Sequence, residues 1–135
     1  MKNKIAKFIG MAALMVVSQI ALADPVVVVV GSGSSVGTLT KDQVADIFLG
    51  KGGDLVPLDQ AEGATRDEFS NKVIGKSATQ VKAYWSKIIF TGRGHPPQEV
   101  ANGLEVRRRL ALDPNAIGYL DQKLVDGSVR VVLAR

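Results

Sequence analysis

The chain has 135 residues, with 17 Lys or Arg against 13 Asp or Glu for a formal charge of +4, and no cysteine. Without cysteine neither disulfides nor thiolate chemistry can contribute, so stability has to come from a packed core. Three of the basic residues, Lys2, Lys4 and Lys7, fall in the first 23 positions with no acidic residue among them, which leaves the rest at 14 − 13 = +1. A near-neutral body of this kind excludes broad binding to nucleic acid or to an anionic membrane, which needs a concentrated basic surface.

The first 23 residues run from those lysines through an apolar stretch, Phe8 to Val17, to Ala21-Leu22-Ala23 before Asp24. Basic, apolar, small-x-small is the order of a secretory signal peptide. The apolar part is too short for a span, which needs ~20 apolar residues, and no cysteine is present to carry a lipid. The expected product is a periplasmic chain, not embedded in the membrane, whose remaining 135 − 23 = 112 residues form one domain. A single core of that size buries roughly 65% of the unfolded chain's surface.

Val26 to Val30 is an unbroken β-branched run ended by Gly31-Ser32-Gly33-Ser34-Ser35, which predicts a strand covered on both faces. Thr40 with Gln43 predicts a capping box, and Val44, Ile47 and Phe48 continue at helical spacing until Gly50 and Gly52-Gly53 stop the helix. Leu55 to Leu58 reads as a short strand. A polar helix carrying Phe69 and Val73 then runs to Gly75, and a second capping box, Ser77 with Gln80, opens the clearest amphipathic stripe: Val81, Tyr84, Trp85, Ile88 and Ile89. This helix is expected to pack on the sheet.

Pro97 marks a helix start leading through Val100, Leu104 and Leu110 to Asp113-Pro114. Two strands, Ala116 to Leu120 and Ser128 to Leu133, close the chain. The order β-α-β-α-α-α-β-β predicts a single three-layer α/β domain with a mostly parallel sheet of about four to five strands.

Few residues invite chemistry. Gly31 to Gly37 follows a strand like a dinucleotide fingerprint, but the next helix starts only near Thr40 and 112 residues cannot hold that fold. The same loop can offer N–H groups and the Ser34 and Ser35 hydroxyls to an anion, or be a plain connection. Glu62-Gly63-Ala64-Thr65-Arg66 lies between a strand and a helix, so its N–H groups, the Thr65 hydroxyl and Arg66 could meet an oxyanion; an ordinary cap with a solvated arginine is the alternative.

His95 is the lone histidine, without metal-ligand company, and no nucleophile and base stand in recognisable order, so neither metal, cofactor nor catalysis is expected. Arg107, Arg108 and Arg109 fan out at ~100° per residue, and Arg109 pairs with Glu105 four residues earlier. They read as a solvated helix surface.

Several segments resemble the substrate-binding proteins of phosphate ABC transporters. Leu-Thr-Lys-Asp-Gln-Val-Ala-Asp-Ile-Phe-Leu-Gly-Lys, residues 39–51, is similar to a segment ending in their Asp-Ile-Phe-x-Gly-Lys-like signature. Leu55 to Thr65 resembles the strand and loop of their Asp-Gly-Ser-Gly-Thr phosphate motif. Ala83-Tyr84-Trp85 through Phe90-Thr91-Gly92 resembles short standalone relatives, and Asn115-Ala116-Ile117-Gly118-Tyr119 resembles their Gly-Ala-Ile-Gly-Tyr strand.

The resemblance implies one lobe of a type II periplasmic binding protein, whereas those proteins hold phosphate between two lobes. It also implies phosphate or a related oxyanion as ligand, with Gly63 and Thr65 carried over from the motif; joined to the loop readings above, the expected ligand-binding residues are Ser34, Ser35, Gly63, Ala64, Thr65 and Arg66. An ABC permease, another periplasmic protein or a second copy of the chain are the implied macromolecular partners. The motif departs from the pattern: Ala64 replaces a Ser-Gly pair, Asp59 or Gln60 stands where an arginine precedes the motif, and Arg66 follows it instead. Losing about three hydrogen bonds to a charged ligand costs ~4 to 9 kcal/mol, so a lone lobe is expected to bind weakly. The rival expectation is an interaction module that has lost its ligand.

Overall fold

The computed structural model describes residues 25–134; the expected leader, residues 1–23, lies outside them. Strand β1 (Val26–Gly31) is buried along its whole length, as the β-branched run requires. It is followed along the chain by α1 (Lys41–Phe48), β2 (Val56–Gln60), α2 (Ala64–Phe69) continuing as a π-helical turn over Ser70–Ile74, α3 (Ala78–Thr91), β3 (Gln98–Val100), α4 (Gly103–Leu112), β4 (Ala116–Asp121), a 3₁₀ turn at Gln122–Leu124, and β5 (Val129–Leu133). The strands form one sheet in the order β3-β2-β4-β1-β5.

Strand β2 is parallel to both β3 and β4, whereas β1 is antiparallel to β4 and β5. Four strands therefore share one direction and β1 alone opposes them. Side chains alternate across a strand, and β1 divides accordingly. Val26, Val28 and Val30 join Phe48, Phe69, Val73, Ile117 and Tyr119 under α1 and α2. Val27 and Val29 join Leu58, Val106, Leu110 and Leu120 under α4. This is the expected three-layer α/β domain.

Helix α4 lies close on the sheet because glycines face it. A Cβ at Gly31 would sit 2.2 Å from the Leu110 carbonyl oxygen, and one at Gly118 2.6 Å from Val106 Cγ1. On the other face the rings of Phe69 and Tyr119 stack at 4.0 Å and 5°, with Phe48 edge-on to Phe69 at 4.7 Å. That stack fixes α2 above β4.

Both capping boxes form: Thr40 accepts from the Gln43 N–H and Ser77 from the Gln80 N–H, each at 3.1 Å. Two expectations are corrected. The segment after Pro97 is not helical at first; Gln98–Val100 pairs with Leu58–Gln60, and α4 starts only at Gly103, where the Asn102 side chain accepts from the Glu105 N–H at 3.0 Å. The open edge of β2 outweighs the local helical spacing. Helix α3 does not lie on the sheet either. Val81 and Trp85 are buried, but they face the π-helical turn and the loop after α1; Tyr84 Oη donates to the Leu49 carbonyl at 2.7 Å. Ile89 remains 53% exposed and Phe90 91%. Among the described residues no helix is long and apolar enough to cross a membrane.

Candidate functional site

The antiparallel course of β1 decides how the expected site residues are distributed. Gly31 ends β1 beside Val129, whereas Gln60 ends β2 beside Tyr119, its Nε2 donating to the Tyr119 carbonyl at 2.7 Å. Since Val26 pairs with Asp121 and Val30 with Ile117, the two loops leave opposite ends of the sheet, separated by roughly 17 Å of strand at ~3.3 Å per residue. Ser34 and Ser35 therefore cannot share one small ligand with Gly63–Arg66. Ser34 is also committed locally: its Oγ accepts from the Val36 N–H at 3.2 Å and its carbonyl accepts from Arg130 at 2.7 Å. Ser35 is exposed on the same loop.

The structure does bring Gly63, Ala64, Thr65 and Arg66 together as the entry to α2. Gly63 is the N-cap, at φ 159° and ψ −178°, with no side-chain cap. The first N–H groups of a helix have no acceptor within it, and here the surrounding residues are exposed or half-buried.

Arg66 reaches back to the strand ends, its Nη2 3.5 Å from Asp59 Oδ2 and its Nη1 3.3 Å from Glu99 Oε1. Asp59 and Glu99 are register partners on β2 and β3. The arginine that follows the motif in sequence is thus beside residue 59 in space. Asp59 also accepts from the Tyr119 hydroxyl and, at 2.9 Å, from the Gln60 N–H. Burial first, then the Asp59 charge and hydrogen bond, push the Tyr119 phenol far above its usual pKa, so Tyr119 stays a neutral donor.

Arg66 lies between two open clefts. One, of about 520 Å³, is lined by Gly63, Arg66, Ala78, Thr79 and Lys82 together with Glu62 and Asp67. The other, of about 340 Å³, includes Asp59, Arg66, Lys82 and Glu99. Neither Lys82 nor Glu99 carries a local signal in the sequence: one sits on the exposed face of an amphipathic helix, the other in a strand whose pairing is long-range. An oxyanion entering here meets Arg66 and Lys82 but has to compete with Asp59 and Glu99 for the guanidinium. Elsewhere, the basic run is spent on structure. Arg107 pairs with Asp126 at 3.3 Å, and Arg108 and Arg109 pair with Glu105 at 2.5 and 3.4 Å. The described residues hold no cluster of three or more His, Asp or Glu placed for a metal.

No protein-family model matches the sequence and no curated protein does. Solved structures do match. A protein assigned as a phosphate ABC transporter substrate-binding protein from Clostridium perfringens, with bound phosphate, superposes with a TM-score of 0.64 at 22% identity. An ABC-type phosphate transport receptor from Vibrio cholerae superposes at 0.60 and 18%, and PstS from Borrelia burgdorferi at 0.59 and 12%. Each match covers 84% of this chain but only 46%, 47% and 49% of the respective neighbour. The chain therefore has the fold of one lobe of a periplasmic binding protein and spans about half the length of those structures.

Proposed function

We propose that the chain is a periplasmic, single-lobe protein of the solute-binding type, without catalytic activity, that captures phosphate or a related oxyanion for ABC-type uptake or sensing. The observation that carries this reading is the convergence of the α2 entry and Arg66 on the carboxyl ends of the parallel strands β2 and β3, where open α/β sheets hold their ligands. Two of the solved neighbours, a phosphate ABC transporter substrate-binding protein and an ABC-type phosphate transport receptor, agree with it. The ligand contacts are assigned to Gly63, Ala64, Thr65 and Arg66, with Lys82 adding charge; Ser34 and Ser35 are left out. A permease, another periplasmic protein or a second copy would supply the remaining contacts.

A second reading rests on a specific observation: both carboxylates already hold Arg66, and Ile89 and Phe90 on the adjoining helix are exposed. On this reading the domain has no ligand and docks another envelope protein.

The melting temperature of the purified protein separates the two, because a ligand of the folded state stabilises it by RT ln(1 + [L]/Kd). With ~10 mM phosphate and a Kd of ~1 mM the gain is ~1.4 kcal/mol, a shift of several degrees for a domain this size. A shift with phosphate that disappears when Thr65 and Arg66 are both replaced by alanine supports capture. If no oxyanion moves the transition, and a stable partner is recovered from periplasmic extract, the docking reading replaces it.

A further inference from the structure

Arg66 and Lys82 line both clefts beside the α2 entry, and the acidic residues that line them are Glu62 and Asp67 in one and Asp59 and Glu99 in the other. Two cations meet four carboxylates, a formal charge of 2 − 4 = −2. Asp59 and Glu99 are already engaged with Arg66, at 3.5 and 3.3 Å. The carboxylates of Glu62 and Asp67 and the ammonium of Lys82 have no ion-pair partner among the described residues. We infer, resting on the capture reading above, that the preferred ligand is not bare phosphate but a short aminoalkyl phosphate, whose phosphoryl group meets Lys82 and Arg66 while its ammonium meets Glu62 and Asp67.

A phosphate monoester is close to doubly negative at neutral pH. Arg66 keeps N–H donors for a phosphoryl oxygen, but Asp59 and Glu99 offset its charge, so Lys82 is the one cation of this lining with its charge uncommitted. A bare dianion thus has one uncommitted cation to attract it and two uncommitted carboxylates to repel it. A ligand with its own ammonium turns both carboxylates from repulsion to attraction.

The lining gives the two ends of such a ligand separate places. Glu62 precedes Gly63, the N-cap of α2, and Asp67 lies one turn into that helix, its N–H donating to the Gly63 carbonyl at 3.0 Å. Lys82 stands on α3, one turn beyond Ala78 and Thr79, which line the same cleft. The carboxylates therefore belong to the α2 side and the uncommitted ammonium to the α3 side. At about 520 Å³ this cleft has the size of a small-molecule site, with room for more than a phosphoryl group.

The test is calorimetric titration of the purified protein at low ionic strength with phosphoethanolamine, ethyl phosphate and ethanolamine, which carry both groups, the phosphoryl group alone and the amine alone. Phosphoethanolamine is expected to bind about fivefold tighter than ethyl phosphate, the worth of one exposed ion pair, and ethanolamine weakest of the three. Added salt should shrink the difference, because exposed charges are screened beyond ~10 Å at 0.1 M and less strongly at lower salt. Replacing both exposed carboxylates, Glu62→Gln with Asp67→Asn, should erase the preference: phosphoethanolamine weakens and ethyl phosphate tightens a few-fold.

The comparison of the three probes needs no variant, so it decides the matter even if the double variant fails to fold. Ethyl phosphate binding as tightly as phosphoethanolamine, or a preference that survives in the folded double variant, overturns the inference and leaves phosphate capture standing. Ethanolamine binding as tightly as phosphoethanolamine overturns it too, since the phosphoryl group then contributes nothing. If neither phosphoryl compound nor inorganic phosphate binds, the capture reading fails and this inference with it.

Discussion

Tyr119 and Asp59 are joined across the β2–β4 pair: the buried phenol of one donates to the carboxylate of the other, and the Gln60 N–H donates both to Asp59 Oδ1 at 2.9 Å and to Tyr119 Oη at 3.1 Å. This joint ties the strand end that bears Arg66 to the aromatic stack beneath α2. Tyr119→Phe keeps the stack but leaves buried groups without a partner, so it should lower stability by about 1–3 kcal/mol in denaturant unfolding. The alkaline limb provides a second check. With the folded pKa raised, the phenol contributes stability that is complete below the unfolded value of ~10 and is lost as pH rises beyond it. Between roughly pH 9 and 11 the wild type should therefore lose more stability than Tyr119→Phe; equal losses would show that the phenol ionises as freely in the folded protein.

Glu99 is the more exposed of the two carboxylates on Arg66, with its side chain 57% accessible against 16% for Asp59. Glu99→Gln should free part of the guanidinium and strengthen phosphate binding a few-fold, with a stability change within about 0.5 kcal/mol. Calorimetric titration compares the two proteins directly. Weaker binding in the variant would mean that Glu99 orients Arg66 for the anion instead of competing with it.

Gly31→Ala is expected to be among the most damaging single-methyl changes in the chain. The added Cβ would lie 2.2 Å from a backbone oxygen of α4, a contact that no rotamer change relieves, so the helix or strand must move. A loss of about 3 kcal/mol or more is expected, read from the denaturant midpoint.

The capping boxes are open to a simple comparison. Thr40→Ala and Ser77→Ala each remove a side-chain acceptor for an N3 amide and should cost about 1 kcal/mol each. Being on different helices, the two losses should add in the double variant, as thermal denaturation would show.

Phe90 would ordinarily be placed in the core, but it is 91% exposed. Phe90→Ser should change stability by no more than about 0.5 kcal/mol, whereas Phe69→Ala, which removes the ring stacked on Tyr119, should cost about 3–5 kcal/mol. A large loss at Phe90 in a chemical denaturation series would mean that another surface covers it in solution.

The sequence by itself determined the elements whose signals are local. The run Val26–Val30 could only be a strand buried on both faces, because alternate valines have to be covered above and below. Thr40 and Ser77 each carry their partner glutamine three residues on, and both helix starts follow from that spacing. Gly63 to Arg66 could be placed at a helix entry because the segment lies between a predicted strand and a predicted helix. What depended on contacts between distant residues was decided only in the tertiary structure. The direction of β1 is set by its pairing with β4 and β5, and that direction moved Ser34 and Ser35 to the far end of the sheet from Thr65. Gln98–Val100 became a strand because β2 offered an edge, against the helical spacing of its own residues. The amphipathic stripe of α3 marked Val81 and Trp85 for burial but not what buries them, and its last member, Ile89, stays exposed. Arg66, displaced along the chain from the position of the familiar motif, returns to Asp59 because a helix N-terminus folds back over the strand that precedes it.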